Sequence, residues 1–256
     1  MFSGSKGNST YIGGASGGVL VDVGVSFKRI KTALCSADIS LEDIKAVLIT
    51  HEHNDHIKGL KTFLKNCPVT VVASRDTIYA LEFTGAIERD TPRAYIDETR
   101  ELVFGDIKIT RFPTSHDCKG SSGYTVSVGS VKTAVCTDLG IVTDEVRNSL
   151  AGCDLVMLES NHDPVMLRMG SYPAELKLRI DSDKGHLSNG VCAKTVSYLY
   201  TQGTRRFVLA HLSEENNTSE KAASTTRAAL IDEGARENED YILYVAPREG
   251  SRVIPL

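Results

Sequence analysis

The fold of this chain is decided by one segment, Thr50-His51-Glu52-His53-Asn54-Asp55-His56, which directly follows the apolar run Ala46–Ile49. The segment places three of the chain's seven histidines within six residues. A structural histidine usually stands alone with one hydrogen-bond partner, and a polar surface loop needs no imidazoles. Three imidazoles and a carboxylate at one strand end therefore predict a metal site.

The spacing within this segment predicts two neighbouring metal positions. His51 and His53 lie two residues apart on an extended loop, so their side chains can point to the same side and bind one divalent ion. Asp55 and His56 can reach a neighbouring position. A second ion there would complete a two-metal site, in which a bridging hydroxide attacks an ester or phosphodiester and both cations stabilise charge.

Three further residues lie where additional ligands are expected, at the ends of predicted strands. His116 follows one apolar run, Asp138 ends a second and His211 ends a third. Taken singly, a strand-end Asp is more often a turn cap, and a lone His is more often structural. Their shared position at strand ends makes them candidates for the same site.

The composition is that of an ordinary globular protein. The chain has 256 residues, 41% of them hydrophobic, and its 21 glycines follow no three-residue repeat, which excludes disordered and collagen-like proteins. The formal net charge is −4, so a polyanion would have to be met by a local basic patch or by bound metal ions. The six cysteines form no Cys-x-x-Cys pair and are expected to be reduced and mostly buried.

The sequence predicts one domain, residues 1–256, with a cytoplasmic location and no membrane association. It contains no linker or repeat, no signal peptide and no apolar run long enough to span a bilayer. Gly13–Gly18 precedes a strand and predicts a hairpin turn, because a nucleotide-binding loop must follow a strand and open a helix.

Strand and helix patterns alternate along the chain. Strands are predicted at Gly18–Val23, Lys45–Thr50, Val69–Ala73, Ile107–Phe112, Tyr124–Val128, Val131–Thr137, Asp154–Glu159, Phe207–Leu212 and Tyr241–Val245. Helices are predicted at Ser26–Cys35, Ile57–Leu64, Ser74–Glu82, Asn189–Thr201 and Ser219–Glu233. Mixed sheets with helices on their outer faces favour a two-sheet α/β sandwich over a doubly wound nucleotide fold.

The order of these motifs resembles the metallo-β-lactamase fold superfamily along nearly the whole chain. The resemblance implies a four-layer αβ/βα sandwich with metals between the edges of the two sheets. It implies that His51, His53 and His116 hold the first metal, that Asp55, His56 and His211 hold the second, and that Asp138 bridges them. Because His53 stands where the flavo-diiron branch has Glu, the chain differs from that branch.

A further pair of residues, Glu159 and His186, resembles the phosphodiesterase branch that includes tRNase Z. By that resemblance the two act together on the scissile phosphate, with His186 assisting the leaving group and Glu159 orienting it. Two alternatives remain open from the residues themselves. Glu159 could instead cap a helix starting near Asn161, and His186 could be a simple helix-start residue; His162 is interpreted as a local cap or packing residue.

Several strings are similar to the YycJ/WalJ group of bacterial cytoplasmic metallo-hydrolases. They are Ser3–Ser9, Leu158–Asp163, Met166–Arg168, Gly170–Pro173, Lys177–Ile180, Gly185–Asn189 and His211–Asn217. The resemblance implies a 5′→3′ DNA exonuclease that uses a metal-bound hydroxide held by Asp55 and Asp138. The ligand types suit Mn or Zn, with Fe possible, and imply no organic cofactor. Oligomeric state is left open.

Contacts to DNA are less clearly marked in the sequence. Lys6 and Asn8 lie in a Gly-rich turn that could bind phosphate, and Ser188 follows His186 as a third candidate. The basic residues Arg168, Lys177, Arg179 and Lys184 precede His186, but the acidic residues Glu175, Asp181 and Asp183 are interspersed with them. A DNA contact surface and an ordinary solvated helix face are equally compatible with this pattern.

Two other functions remain as alternatives. The same metals could hydrolyse a small ester, thioester or cyclic phosphodiester, because this fold hosts several chemistries. The chain could also be a non-catalytic, metal-binding regulatory protein, although an intact set of seven ligands argues against that interpretation.

Overall fold

The computed structural model describes residues 2–97, 101–247 and 252–255. The strands are β1 (Thr10–Gly14), β2 (Gly17–Val21), β3 (Ile44–Leu48), β4 (Thr70–Ala73), β5 (Arg93–Tyr95), β6 (Leu102–Phe104), β7 (Ile107–Pro113), β8 (Ser122–Val128), β9 (Val131–Cys136), β10 (Leu155–Glu159), β11 (Arg206–Ala210) and β12 (Ile242–Val245). The helices are α1 (Phe27–Cys35), α2 (Asn54–Ile57), α3 (Leu60–Asn66), α4 (Arg75–Phe83), α5 (Asp144–Leu150), α6 (Pro164–Met169), α7 (Ala174–Ile180), α8 (Asn189–Thr201) and α9 (Ser219–Asp232).

The strands form two sheets that divide the chain at about its first third. The first sheet has the order β1-β2-β3-β4-β5, and the second has the order β12-β11-β10-β9-β8-β7-β6. Strands β2 to β5 run parallel, as do β9 to β12, whereas β6 to β9 form an antiparallel meander. Parallel neighbours bring the carboxyl ends of β3, and of β9, β10 and β11, to one edge of each sheet.

Alternation of side chains along the strands builds four layers. In β10, Val156 and Leu158 pack with residues of α5, α8 and α9, whereas Leu155 and Met157 pack between the sheets. In the first sheet, Val47 faces a cluster that includes residues of α1, α3 and α4. Helices therefore cover the outer face of each sheet, and the predicted αβ/βα sandwich is confirmed.

The predicted helix Ile57–Leu64 is wrong as a single element. The chain forms α2 and α3 instead, separated at Lys58 and Gly59. Gly59 donates its N–H to Val23 O at 2.8 Å, and a Cβ there would lie 1.9 Å from Val25 O. The close approach to the loop after β2 breaks the helix and requires glycine.

Two other expectations, the hairpin and the state of the cysteines, are confirmed. The hairpin turn predicted at Gly13–Gly18 joins β1 to β2, which pair antiparallel with Gly14 opposite Gly17. All six cysteines are free thiols, and four of them are buried. No helix in the described part of the chain is long and apolar enough to cross a membrane.

Candidate active site

The first group of potential ligands comes from the ends of β3 and β7. His51 Nε2 lies 3.0 Å from His53 Nδ1, and His116 Nε2 lies 3.3 Å from the same atom. His51 and His116 are buried, and the extended backbone after β3 places His53 beside them. Three imidazole nitrogens within 4.8 Å of one another can hold one divalent ion.

The second group combines the first turn of α2 with the end of β11. Asp55 Oδ2 lies 3.3 Å from His56 Nε2 and 3.6 Å from His211 Nε2. These three residues form a second cluster with ligand atoms within 4.8 Å. One carboxylate and two imidazoles again suit a divalent cation.

Asp138, after β9, lies between the two groups. Its Oδ2 is 3.2 Å from His56 Nε2, and its Oδ1 is 3.9 Å from His116 Nε2. It also clusters with His51 and His56, which belong to different groups. A carboxylate in this position can bridge two ions.

Two buried polar atoms in this centre lack a hydrogen-bond partner within the described residues. They are Asp138 Oδ2 and His211 Nε2, on side chains that are 2% and 3% exposed. Buried polar atoms are normally satisfied, so unpaired donor and acceptor atoms that face neighbouring ligand atoms indicate a missing partner. The donor set of imidazoles and carboxylates therefore fits divalent metal ions.

The opposite ring nitrogen of four of these histidines is held by the protein. His51 Nδ1 contacts Thr50 Oγ1 at 3.0 Å, His56 Nδ1 contacts Asp22 Oδ2 at 2.7 Å, His116 Nδ1 contacts Gly185 O at 3.1 Å and His211 Nδ1 contacts Glu159 Oε1 at 2.8 Å. A hydrogen bond at one ring nitrogen fixes the tautomer and the ring orientation. It leaves Nε2 of each ring directed to the centre.

Asp22, after β2, organises the ligands of the first sheet. Its carboxylate accepts hydrogen bonds from Thr50 N (2.8 Å), from Thr50 Oγ1 (2.9 Å) and from His56. Sequence reasoning missed this residue, although it lies in the predicted strand Gly18–Val23, near its end. The signal available in the sequence was an acidic residue near the end of a predicted apolar strand.

Glu159, the last residue of β10, organises the ligands of the second sheet. Its Oε1 accepts from His186 Nδ1 and His211 Nδ1, each at 2.8 Å, and its Oε2 accepts from the N–H groups of Leu139 and Leu187, each at 3.1 Å. It therefore joins the loops that follow β9 and β11 to the loop containing His186.

The alternative role of Glu159 as a helix cap is wrong. The following helix, α6, begins at Pro164, and Asp163 caps it by accepting from Val165 N and Met166 N. The predicted contact between Glu159 and His186 is instead present.

The protonation states suit a metal centre. Burial and the neighbouring His56 hold the pKa of His51 well below its ordinary value, so this imidazole is neutral. Burial acts to raise the pKa of Glu159, but His186 and His211 hold it at about 2. Burial acts to lower the pKa of His186, but the Glu159 carboxylate raises it above its ordinary value.

The centre opens to solvent on one side. The side chains of His53, Asp117, Asp55 and His186 are 34%, 29%, 26% and 20% exposed, whereas that of His56 is fully buried. We call these four exposed residues the mouth of the site. Asp117, which sequence reasoning missed although it directly follows His116, has Oδ1 at 3.3 Å from His116 Nε2.

The three expected substrate contacts have other partners. Lys6 pairs with Glu214 at 2.8 Å, because the N-terminal turn lies beside the loop after β11. The Ser188 hydroxyl caps α8 by accepting from Val191 N. The substrate roles of Lys6 and Ser188 therefore stay predictions from the sequence.

Asn8 lies in the centre itself. Its side chain is buried, and its Nδ2 donates to Asp55 Oδ2 at 3.1 Å and contacts His56 Nε2 at 3.0 Å. Its Oδ1 accepts from Gly4 N at 2.9 Å. Because both ends of the amide are engaged, Asn8 orients Asp55, and the expectation of a phosphate contact is not supported.

A buried network centred on Asn217 lies behind the second-sheet ligands. Its Nδ2 donates to Ser160 O (2.8 Å), Asn161 O (3.0 Å) and Asn189 Oδ1 (2.8 Å). Asn161 Nδ2 in turn donates to His211 O at 2.9 Å. The network connects the segment after Glu159 to α8 and to the loop after β11.

His162, interpreted from sequence as a cap or packing residue, is buried beside this network. Its O accepts from Asn189 N at 2.8 Å, and its Nε2 lies 3.7 Å from Asp181 Oδ1. The ring is not part of either metal-ligand cluster. Packing is thus the role its surroundings support.

Three residues of the centre have left-handed backbone conformations. The φ angles of Asp22, Asp138 and His211 are 63°, 60° and 53°. This region is unfavourable for residues with a Cβ, although Asp tolerates it better than most. Each of the three follows a strand, and the sharp turn directs its side chain into the centre.

The match to known families follows this geometry. A profile of the beta-lactamase superfamily domain matches residues 18–212, which include all seven predicted ligands. This chain belongs to the metallo-β-lactamase superfamily. Membership implies divalent metals, in agreement with the orphaned Asp138 and His211 atoms described above.

Two relatives within the superfamily are similar over nearly their full length. Exodeoxyribonuclease YycJ of Bacillus anthracis is 36% identical over 95% of this chain and 92% of its own length. Exodeoxyribonuclease WalJ of Streptococcus pneumoniae is 35% identical over 95% of this chain and 91% of its own. The crystal structure of the metallo-β-lactamase fold protein YhfI from Bacillus subtilis covers 96% of this chain and 91% of its own, with a TM-score of 0.70 and 15% identity, and shows the shared fold.

Proposed function

We propose that this chain is a metal-dependent 5′→3′ DNA exonuclease that uses two divalent ions, Mn or Zn. The observation that carries the proposal is the Glu159–His186 pair beside two ligand clusters, because it adds a proton-donating group to a phosphodiesterase-type centre. Similarity to two exodeoxyribonucleases along nearly the whole chain supports DNA as the substrate.

In this proposal the seven ligands divide the work of holding the ions. His51, His53 and His116 would hold one ion and Asp55, His56 and His211 the other, and Asp138, which lies between the two groups, would be shared by both. The ions, when bound, activate a water molecule and neutralise charge on the scissile phosphate.

Asp55 orients the attacking water. Its side chain lies at the mouth, and Asn8 donates to its Oδ2, which fixes the carboxylate. The carboxylate is therefore placed to accept a hydrogen bond from the nucleophile and keep it in line with the phosphorus.

His186 acts on the opposite side of the reaction, at the leaving oxygen. Its Nδ1 is bound to Glu159, which leaves Nε2 as the atom that can donate to substrate. Its ring lies 5.2 Å from the ring of His116 and 5.3 Å from that of His211, centroid to centroid, so it is adjacent to both ligand clusters. Donation of a proton there would stabilise the departing 3′ oxygen.

The proposal is tested with end-labelled, 5′-phosphorylated duplex DNA and chelator-stripped protein to which Mn or Zn is added back. We expect stepwise loss of nucleotides from the 5′ end and a loss of this activity in His186→Ala with metal content unchanged. Turnover of bis-p-nitrophenyl phosphate without DNA cleavage would contradict the DNA assignment. Cleavage of neither substrate would favour small esters or thioesters, or a non-catalytic protein.

A further inference from the structure

An ion pair at the mouth of the site connects α7 to the first ligand cluster. Arg179 Nε donates to Asp117 Oδ2 at 2.6 Å, and its Nη2 donates to the same oxygen. The other oxygen of Asp117 lies 3.3 Å from His116 Nε2 and 3.6 Å from His53 Nε2. One carboxylate thus separates the guanidinium from His116 Nε2, which would hold a metal, and from the ring nitrogen of His53 opposite its ligand atom Nδ1.

The guanidinium remains accessible to a ligand. The Arg179 side chain is 56% exposed, and Asp117 takes two of the five N–H groups that an arginine carries. The carboxylate fixes the direction of this side chain, and more than half of its surface is open to solvent. A planar cation with a fixed direction is well suited to bind a phosphate.

The neighbouring basic residues do not share this property. Lys177 Nζ donates to the carbonyl oxygens of Arg168 (2.9 Å) and Gly170 (2.7 Å), so it closes the turn between α6 and α7. The remaining charges between residues 168 and 184 nearly balance, because Glu175, Asp181 and Asp183 oppose the basic side chains. A general basic patch is therefore not supported, whereas a single fixed contact is.

The position of Arg179 also determines which phosphate it can reach. The scissile phosphate must approach the ions through the mouth, between His53, Asp55 and His186. Asp117 is the fourth residue of the mouth, and it holds the Arg179 guanidinium one carboxylate away from the ligand atom His116 Nε2. A group bound by Arg179 is therefore next to the scissile phosphate along the strand.

We propose that Arg179 binds the DNA phosphate adjacent to the scissile one, and that Asp117 is the positioning residue that holds the guanidinium there. The inference rests on the proposed function. It assigns the site a polymeric substrate, because a small diester has no second phosphate for Arg179 to bind. Such a contact positions the strand and carries no base specificity.

The test measures binding of 5′-phosphorylated duplex DNA to metal-loaded protein that carries His186→Ala, which slows cleavage. In this background, Arg179→Ala is expected to weaken binding about 10-fold and to reduce the slope of log K against log salt by about 1. Arg179→Lys, which keeps the charge and loses the planar fork, should retain the slope and lose only part of the affinity.

The matched control is Arg227→Ala. Arg227 also donates through Nε to a carboxylate, that of Glu237, at 2.7 Å, but it lies on α9. This substitution should leave affinity and slope unchanged. In otherwise wild-type protein, Arg179→Ala should lower kcat/KM for DNA about 10-fold more than kcat/KM for bis-p-nitrophenyl phosphate.

The variant Asp117→Asn tests whether Asp117 positions Arg179 or only stabilises the fold. If Asp117 positions Arg179, this variant keeps the salt slope and its metal content while KM for DNA rises. An unchanged salt slope in Arg179→Ala, with equal losses of thermal stability in Arg179→Ala and Asp117→Asn, would overturn the inference. Absence of DNA binding and cleavage in the parent protein, with diester turnover intact, would instead overturn the proposed function.

Discussion

The two sheets contribute to the active site in different ways. The first sheet supplies four potential ligands from one segment after β3, whereas the second supplies His116, Asp138 and His211 from three separate loops. A contiguous segment can be recognised by spacing alone. Ligands dispersed along the chain can be recognised only when the strands that carry them are known to end at the same edge of the sheet.

The two buried carboxylates behind the ligands show the same difference. Asp22 contacts Thr50 and His56, which both belong to the segment after β3. Glu159 contacts the loops after β9 and β11 and the loop of His186. We therefore expect a substitution of Asp22 to disturb only the segment after β3, and a substitution of Glu159 to disturb several loops at once.

The largest effect is expected where the two halves meet, at Asp138. Asp138→Asn keeps the shape of the side chain but removes the charge placed between the clusters. Activity should fall about 10³-fold, because several kcal/mol of charge stabilisation depend on both ions. Metal analysis should show loss of at least one equivalent; full metal content with normal turnover would show that Asp138 is not a bridging ligand.

The next largest effect is expected at His186, which supplies the proposed general acid and also lies with Asp138, Glu159 and His211 in a group that could hold a metal ion. His186→Ala should lower turnover by about 10² to 10³, the range for a lost general acid. In contrast, His53→Ala in the first half should lower turnover together with metal affinity. The comparison needs metal analysis of both variants, and loss of metal from His186→Ala would assign it a ligand role.

A smaller effect should distinguish the two carboxylates. Glu159→Gln and Asp22→Asn each remove one charge that orients a ligand histidine, and such changes cost about 10- to 100-fold in metal affinity or activity. Glu159→Gln is expected at the upper end and Asp22→Asn at the lower, because Glu159 holds two histidines. Metal competition and DNA cleavage assays measure these losses. Equal losses of metal affinity and activity in the two variants would show that Asp22 and Glu159 contribute equally.

The smallest effect is expected in the network behind the second-sheet ligands. Asn217→Ala removes several buried hydrogen bonds and should lower the free energy of unfolding by about 1 to 3 kcal/mol. Denaturant titration measures this change, and Asn66→Ala, at the exposed last residue of α3, serves as a control. If the fold-decrease in kcat exceeds the fold-increase in KM, the network also positions His186 and His211.

Local patterns in the sequence predicted a two-sheet sandwich and a histidine-rich segment after β3, whereas the four-layer order was implied by the family resemblance. The apolar runs in β3 and β10, and the spacing of His51, His53 and His56, are visible in any window of a few residues. The helices α6 and α7 were not predicted, because Pro164, Gly170 and Pro173 interrupt the helical pattern.

Residues that act across the fold were also missed. Asp22, Asp117 and Asn217 acquire their roles from partners distant in sequence, as Asp117 does from Arg179, 62 positions away. The same cause explains why the sequence did not show the partners of Lys6 and Ser188, whose substrate roles stay predictions. Their types suit phosphate contacts, but the folded chain gives them Glu214 and the start of α8 as partners.

The left-handed turns at Asp22, Asp138 and His211 are unfavourable for folding but place side chains that the site requires. A residue with a Cβ in this conformation lowers the free energy of unfolding by about 1 kcal/mol relative to glycine. Glycine would remove this strain, but it would also remove a metal ligand or, at Asp22, the carboxylate that orients a ligand. Asp138→Gly and His211→Gly should therefore both be inactive, and their metal-free forms should unfold at a higher temperature than those of Asp138→Ala and His211→Ala, which lose the same side-chain contacts without relieving the backbone. Because relief of strain at these positions also removes the chemistry, a screen for more stable variants of this protein must also read turnover.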